Sequence, residues 1–559
     1  MEDKIYLQCG ENDCFLPYGV TVRQALEALS VEIKSTYLDN PIVAVSVNNE
    51  ILPLSFHLDH DGNCIPIHLF SNLGKRTYRH SICYLLCLAS HLLFPKRRLL
   101  IGHSLGDGYY LYYDNPYDIS SEEIEQLSNK MKEIVASNIP IAFKKEPYDK
   151  AIKYFYQRGA METVQLLRCQ NSPNIPLYET THFRDLAYEP LVDKTGVLSL
   201  WELRSYEKNG MLLRYPNPRD FTVLQPFVDD KQLFLVFKEY RKWNKTLKMR
   251  TLGALNNLCI EGNITNYIRM AETLQQKKIS DIADMIFAHK GVKAIFIAGP
   301  SSSGKTTFAF KLGVQLQMRG KEPIRITLDN YYKPSDQIPF DSNGKKDFEC
   351  LESLDIPLFE EHLSNLMKGI PVKLPHYNFK TKERLYPQPA LTLNESSVII
   401  IEGIHGLNPR LIKDIDQSTT FKVYISALTQ INIDDHNRIS TTDNRILRRI
   451  VRDYRTRGTS AYRTLSMWNS VHEGEKKHIF PFQNEADVVL NSALDYEIGV
   501  IRPLALPLLK TVKPENSEVY AVSRRLIAFL SIVPPISETL VPANSLIREF
   551  IGGSEFDVT

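Results

Sequence analysis

No apolar run in this 559-residue sequence is long enough to cross a bilayer. Its first residues, MEDKIYLQCGENDC, lack the basic flank and apolar stretch of a secretory signal, so a cytoplasmic protein with no membrane partner is expected. Cysteine is sparse: eight residues are scattered from position 9 to 350, with no Cys-x-x-Cys pair. That argues against a disulfide frame or zinc knuckle and for reduced thiols. An excess of charge is missing too. Lys+Arg (67) nearly balances Asp+Glu (65), a net +2, so there is no bulk basic signal for nucleic acid and only a local patch could serve one. Repeats and low-complexity tracts are absent. What remains, 43% hydrophobic and 24% charged, is the composition of a globular protein. The length calls for three or four domains.

Texture changes divide the chain. Residues 1–70 alternate short strands (KIYLQC, IVAVSV, CIPIHLF) with one helix, TVRQALEALS, a small α+β module. Thr21 can cap that helix, with Ala25 rather than an acid taken as the box position. Residues 71–225 mix helices (80–94, 121–137, 148–157) with Tyr-rich strands (GDGYYLYYD), and RYPNPRDFTVLQPF marks their end. Residues 226–290 read as a helical connector. From 291 to 500, apolar strands at 292–298, 324–328, 397–401, 421–425 and 487–491 alternate with helices, the pattern of a parallel sheet wrapped by helices. Residues 501–559, rich in proline, read as a C-terminal extension of that domain.

The most specific motif is AIFIAGPSSSGKTTFAFKL. Gly299-x-x-x-x-Gly304-Lys305-Thr306 fits the Walker A pattern, between strand 292–298 and helix 305–318. Backbone N–H groups across Ser301, Ser302, Ser303 and on to Thr307 can curl round a phosphate. Lys305 can reach the β and γ oxygens, and the Thr306 hydroxyl can ligate Mg²⁺. A chance match in a chain this long is on the order of 1% from ordinary residue frequencies, so nucleotide binding is expected. Three further features bear on what becomes of the phosphate. ITLDNYYKP puts Asp329 at the end of the second strand, where ligands lie in open parallel sheets. There it can take a proton from an attacking hydroxyl or help hold Mg²⁺; a lone Asp at a strand end is also a common cap. VIIIEGIHGL puts Glu402 where a Walker B acid lies. RILRRIVRDYRTRG carries Arg445, Arg448, Arg449, Arg452, Arg455 and Arg457 against one acid, Asp453. Such a helix repels itself unless anions visit it. A lid closing on a triphosphate would supply them, whereas a solvated basic helix is the plainer alternative.

The ordered strings GPSSSGKTT, LDNYY, KKDFECLESLD, LPHYNF, IIEGIHGL, RRIVRDYRTRG and ADVVL resemble the uridine kinase/phosphoribulokinase group of P-loop kinases, most of all uridine–cytidine kinases. The resemblance implies ATP and Mg²⁺ as cofactors and Asp329 as the base facing a nucleoside 5′-hydroxyl. It implies Thr306 and Glu402 at the metal and Arg449, Arg452 and Arg457 near the phosphates. On the acceptor side it implies Tyr332, Tyr377 beside the nucleobase, and Glu349 at the ribose hydroxyls, where the family usually has aspartate. Two positions depart from the pattern. Lys382 stands where uridine and cytidine kinases have a base-reading histidine, and Thr459 where an arginine is expected. Uridine or cytidine is the default acceptor.

The first 225 residues resemble threonyl-tRNA synthetases. Residues 1–70 are similar to their ubiquitin-like TGS module, and 71–225 to their second additional domain, which edits mischarged tRNA. The editing residues fall on His80, Tyr84, Ala187 and Leu191, so one of four polar positions remains and a retained fold with lost chemistry is expected. Regulation, dimerisation, or binding of an RNA, tRNA or nucleotide effector are the roles left to this half. Two functions compete: an ATP-dependent nucleoside kinase, and a nucleotide-switched RNA- or tRNA-binding regulator.

Overall fold

The computed structural model describes residues 4–114, 118–340, 344, 346–378, 381, 383–411, 413 and 415–557. At the front, period-two alternation builds a five-stranded sheet in the order Asn12–Pro17, Lys4–Cys9, Gly62–His68, Ile42–Val47, Glu50–Pro53. Lys4–Cys9 and Gly62–His68 run parallel, and helix Val22–Ala28 buries Val22, Ala25 and Leu26 against the sheet. This is the expected ubiquitin-like α+β module. The helix has a full capping box after all: Gln24, not Ala25, occupies the third helical position and answers Thr21.

The next unit is α+β, with two antiparallel sheets. One has the order Glu202–Ser205, Gly210–Arg214, Gly108–Tyr113, Leu99–Ser104; the other Arg184–Leu186, Asn174–Glu179, Ala142–Pro147. Helix Asn72–Leu93 is its spine, burying Tyr78, Ile82, Leu85 and Leu86. It begins eight residues before the apolar stretch at 80–94. Ser71 caps it, and Gly74 lets it pass so close to the preceding strand that a Cβ would lie 2.0 Å from the His68 carbonyl.

Helices Lys231–Thr246, Leu252–Ile260 and Ile264–Ala288 follow. The last lays Ile279, Ile282 and Ile286 against Phe308, Leu312 and Leu316, so this stretch packs on the following sheet. That sheet is wholly parallel, in the order Glu322–Thr327, Ser397–Glu402, Ala294–Ala298, Thr420–Ser426, Val488–Asn491. All five strands stand where the apolar runs placed them, and helices cover both faces, as in a P-loop kinase fold. Glu402 pairs in register with both Ile297 and Thr327 at the carboxyl ends of the strands.

The C-terminal stretch does more than append. Helices Glu497–Lys510 and Ser517–Ser531 bury Ile501, Leu509, Leu526 and Leu530 in a cluster shared with Phe155 and Leu167 of the front half and Leu447 and Ile450 of the arginine helix. Among the described residues no helix is long and apolar enough to span a membrane, and all eight cysteines are free.

Candidate active site

Strand Ala294–Ala298 runs straight into the phosphate loop. Gly299 is obligatory, because a Cβ there would lie 2.0 Å from the Ile425 carbonyl. Ser302 (φ 59°) and Gly304 (φ 89°) take left-handed conformations, which turn successive N–H groups toward one centre. Helix Lys305–Gln317 has Gly304 as its N-cap and hence no local side-chain cap. The hydroxyls of Ser302 and Ser303 are buried with no partner among the described residues. Lys305 folds back, its Nζ donating to the carbonyls of Gly299 (3.0 Å) and Pro300 (3.1 Å). Burial lowers its pKa, against the pull of Glu402, Asp329 and Glu549.

Thr306 Oγ1 donates to Glu402 Oε1 at 3.3 Å. Burial, then the nearby Asp329 charge, pushes the Glu402 carboxyl up to about 7. Asp329 lies on a short 3₁₀ turn, Leu328–Tyr331, its N–H donating to Thr327 Oγ1. Its charge acts on Lys305, Glu402, Glu349 and Tyr332 alike, so it belongs to the same cleft. ATP and Mg²⁺ fit these residues: two buried hydroxyls with no partner among the described residues line the loop, and Thr306 with Glu402 offers the few protein oxygens Mg²⁺ takes beside phosphates. Among the described residues no cluster of three or more His, Cys, Asp or Glu forms a separate metal cage.

On the acceptor side the rings of Tyr332 and Tyr377 meet at 5.8 Å. Tyr332 Oη donates to the Phe348 carbonyl, and the Tyr377 N–H to Asn330 Oδ1. Burial pushes Glu349 up to about 7 while Arg449 opposes it. Glu349 packs on Gly474 of helix Ala461–His478, where a Cβ would come 2.4 Å from its own Cβ. A mid-helix glycine costs about 1 kcal/mol against alanine; here it makes room for that carboxylate. Lys382 lies outside the described residues. Thr459 contributes its N–H to the Asp453 carbonyl in the turn after the arginine helix.

That helix, Thr441–Arg457, is buried rather than solvated over residues 443–451, and only its last turn, with Arg455 and Arg457, is exposed. Arg448 is fully buried against Glu497, with Nη2 2.5 Å from Oε2, and Arg445 is buried against Glu475. Both also grip the phosphate loop: Arg445 Nε donates to the Ser301 carbonyl (2.9 Å) and Arg448 Nη1 to that of Ser302 (3.3 Å). Arg449 donates to Ser301 Oγ (3.0 Å) and pairs with Asp453, as does Arg452. The Arg457 charge reaches Tyr332 and Asp329. The missing anions for Arg445 and Arg448 are therefore Glu475 and Glu497 of the same chain, 30 and 49 residues away, and no spacing rule reveals them. Glu475 also accepts the Ser301 N–H at 2.9 Å.

A second cleft lies in the front half. His80, Tyr84 and Leu191 do converge there, with Cys83, Cys87, Asp185 and Glu189. Burial pulls His80 down to about 4, so its ring is neutral, and Tyr84 Oη donates to the Phe183 carbonyl. Ala187 sits partly buried beside them in the core. The surprise is His436, from the kinase-side loop between strand Thr420–Ser426 and the arginine helix. Its Nδ1 lies 2.6 Å from Asp185 Oδ2 inside the cleft. Two neighbouring ties hold the same loop: Arg98 Nη2 to Asp435 (2.5 Å), and Asn432 Nδ2 to the Ile101 carbonyl (2.8 Å).

Comparison with known proteins agrees with both halves. Residues 294–498 match the model of the Phosphoribulokinase / Uridine kinase family. The front half is similar to threonine–tRNA ligases: 30% identity over 207 residues to that of Carboxydothermus hydrogenoformans and 28% over 205 residues to that of Acetivibrio thermocellus. Each match covers 35% of this chain, which spans about a third (32%) of the length of these relatives. Among solved structures, a protein described as a possible uridine kinase from Bacillus stearothermophilus matches at 20% identity with a TM-score of 0.27, over 38% of this chain and 98% of its own.

Proposed function

We propose that the protein is an ATP-dependent nucleoside kinase that moves the γ-phosphoryl group of ATP to the 5′-hydroxyl of a ribonucleoside, uridine or cytidine by default. The family match over residues 294–498 supports the kinase class. One observation carries the finer reading: Asp329, Lys305, Thr306 and Glu402 share one cleft with an acceptor wall of Tyr332, Tyr377 and Glu349.

Phosphoryl transfer asks a protein mainly for position and charge. Residues 299–307 cradle the donor phosphates. Lys305 exchanges two loop carbonyls for phosphate oxygens, a favourable trade for a buried cation. Mg²⁺, when bound by Thr306 and Glu402, supplies neutralisation of charge on the phosphate oxygens. Asp329 takes the proton from the 5′-hydroxyl. Arg449, Arg452 and Arg457 face the transferring group, and Glu349 accepts from the ribose hydroxyls. The unit boundaries assigned from sequence (1–70, 71–225, 226–290, 291–500, 501–559) belong to the same proposal.

The test is a nucleoside screen for ADP release, comparing ribosides with 2′-deoxyribosides. A site built to bond a hydroxyl rejects its absence, so ribosides are preferred. Equal rates on both would remove Glu349 from its role, and no release with any nucleoside would remove the kinase reading. A second reading, a nucleotide-switched regulator that binds RNA or tRNA, draws on the threonine–tRNA ligase similarity. It predicts tight tRNA binding without nucleoside-dependent ATP consumption.

A further inference from the structure

The phosphate-loop helix has a cap that comes from far away. Glu549 Oε2 accepts from both the N–H (3.1 Å) and Oγ1 (3.0 Å) of Thr307, a contact across 242 residues. Both partners are buried, Thr307 fully and Glu549 to within 8%. Thr307 follows the Gly-Lys-Thr of the loop, and its amide belongs to the helix's first turn. First-turn amides draw anions, and in a phosphate loop the chain of a triphosphate runs from the loop past them toward the nucleoside. The carboxylate therefore stands where a donor's innermost phosphate would bond. Its charge is also felt at Lys305 and Glu402.

The segment that carries Glu549 is held in place deliberately. Arg548 donates to the carbonyls of Glu538 and Gly552 (2.8 and 3.0 Å). Gly552 has φ 91°, and a Cβ there would lie 1.9 Å from Arg455 Nη2. Arg455 in turn donates to the Phe550 carbonyl at 2.8 Å, and the Arg448 guanidinium lies 4.9 Å from the Phe550 ring centroid. The arginine helix thus holds the phosphate loop through Arg445 and Arg448 and the C-terminal segment through Arg448 and Arg455.

We propose that Glu549 is an internal competitor for the donor's innermost phosphate, so that the C-terminal segment around Arg548–Ile551 sets nucleotide affinity and selects donors by how far their phosphates reach along the helix. This rests on the nucleotide-loop reading above. A nucleotide binds fully only when the carboxylate leaves Thr307; pyrophosphate, filling the loop alone, leaves it in place.

The test is equilibrium binding of ADP and of pyrophosphate, each with Mg²⁺, to the full chain and to Glu549→Gln and Glu549→Ala, with thermal melts of each. If the carboxylate occupies Thr307 about nine-tenths of the time, the competent state is populated to about one-tenth, and removing the carboxylate tightens ADP binding about tenfold, because affinity is weakened by the inverse of the competent fraction. Glu549→Gln, which keeps the shape but loses the charge, gives a smaller gain in the same direction, and pyrophosphate binding changes less than twofold. Unchanged or weaker ADP binding with a lowered melting temperature would make Glu549 a fixed cap and overturn the proposal. Failure of every form, wild type included, to bind either ligand would overturn the nucleotide-loop reading, and this proposal with it.

Discussion

Two clefts in this chain have gone opposite ways. Around residues 299–307 the side chains converge with their needs unmet: two serine hydroxyls without partners among the described residues, a lysine bonded to carbonyls, and carboxylates at Glu402 and Glu349 pushed up to about 7. At His80 the needs have been met from within. Tyr84 bonds a backbone carbonyl, His80 is neutral, and a loop from the kinase side fills the space with His436 on Asp185. The first cleft stores unfavourable electrostatics that a ligand would relieve; the second is a joint between the front half and the loop at 432–436. Strain kept for a ligand is a mark of function, and strain resolved by the chain itself is a mark of architecture.

The contrast can be broken by mutation. In the phosphate cleft, Asp329→Asn should lower turnover by about 10²–10⁴ through loss of the base, with little effect on melting temperature. A comparable loss of stability instead would make Asp329 a structural residue. In the second cleft the signs reverse. Burial opposes the charge on both His436 and Asp185, yet Cys87 and then Asp185 raise His436 well above its ordinary value, and His436 in turn lowers Asp185. His436→Ala takes the ring partner from buried Asp185, leaving it the Leu186 N–H and the Arg158 charge, and should destabilise the chain by about 3 kcal/mol, read by urea unfolding at neutral pH, with nucleotide affinity retained.

Smaller effects sharpen the comparison. Glu402 has its folded pKa raised above the unfolded value, so folding stability falls as pH rises from about 4.5 through about 7. Glu402→Gln should then melt above wild type at pH 8, by on the order of 1 kcal/mol or more, while abolishing Mg²⁺-dependent turnover. A melting temperature below wild type at pH 8 would show the charge to be well satisfied. The smallest expected effect is at Glu349, which titrates near 7. Its ionised form is the better acceptor for ribose hydroxyls, so the acceptor KM should fall as pH rises through 7, and Glu349→Gln should flatten that profile. A KM independent of pH in the wild type would place the ribose elsewhere.

Much of the kinase half could be read from residues in a row. The five apolar runs became the five parallel strands, the Walker A loop followed its strand and opened its helix with Gly304 in a left-handed conformation, and Asp329 and Glu402 reached the carboxyl edge of the sheet. What could not be read depends on contacts distant in sequence. The arginine helix looked starved of anions because Glu475 and Glu497 lie outside it. Glu549 lay in a stretch read as an extension, although it caps the phosphate-loop helix. The early start of helix Asn72–Leu93 was hidden by a polar first turn that includes a glycine, there to clear a neighbouring carbonyl. Neither did any feature of the sequence place His436 in the front cleft.

The most direct measurement is nucleoside-dependent ADP release by wild type and Asp329→Asn, with ATP·Mg²⁺ binding measured on the same samples. The account predicts that the variant binds ATP as wild type does and turns over at least a hundredfold more slowly. Undiminished release by the variant, or release that needs no nucleoside in either protein, would contradict it.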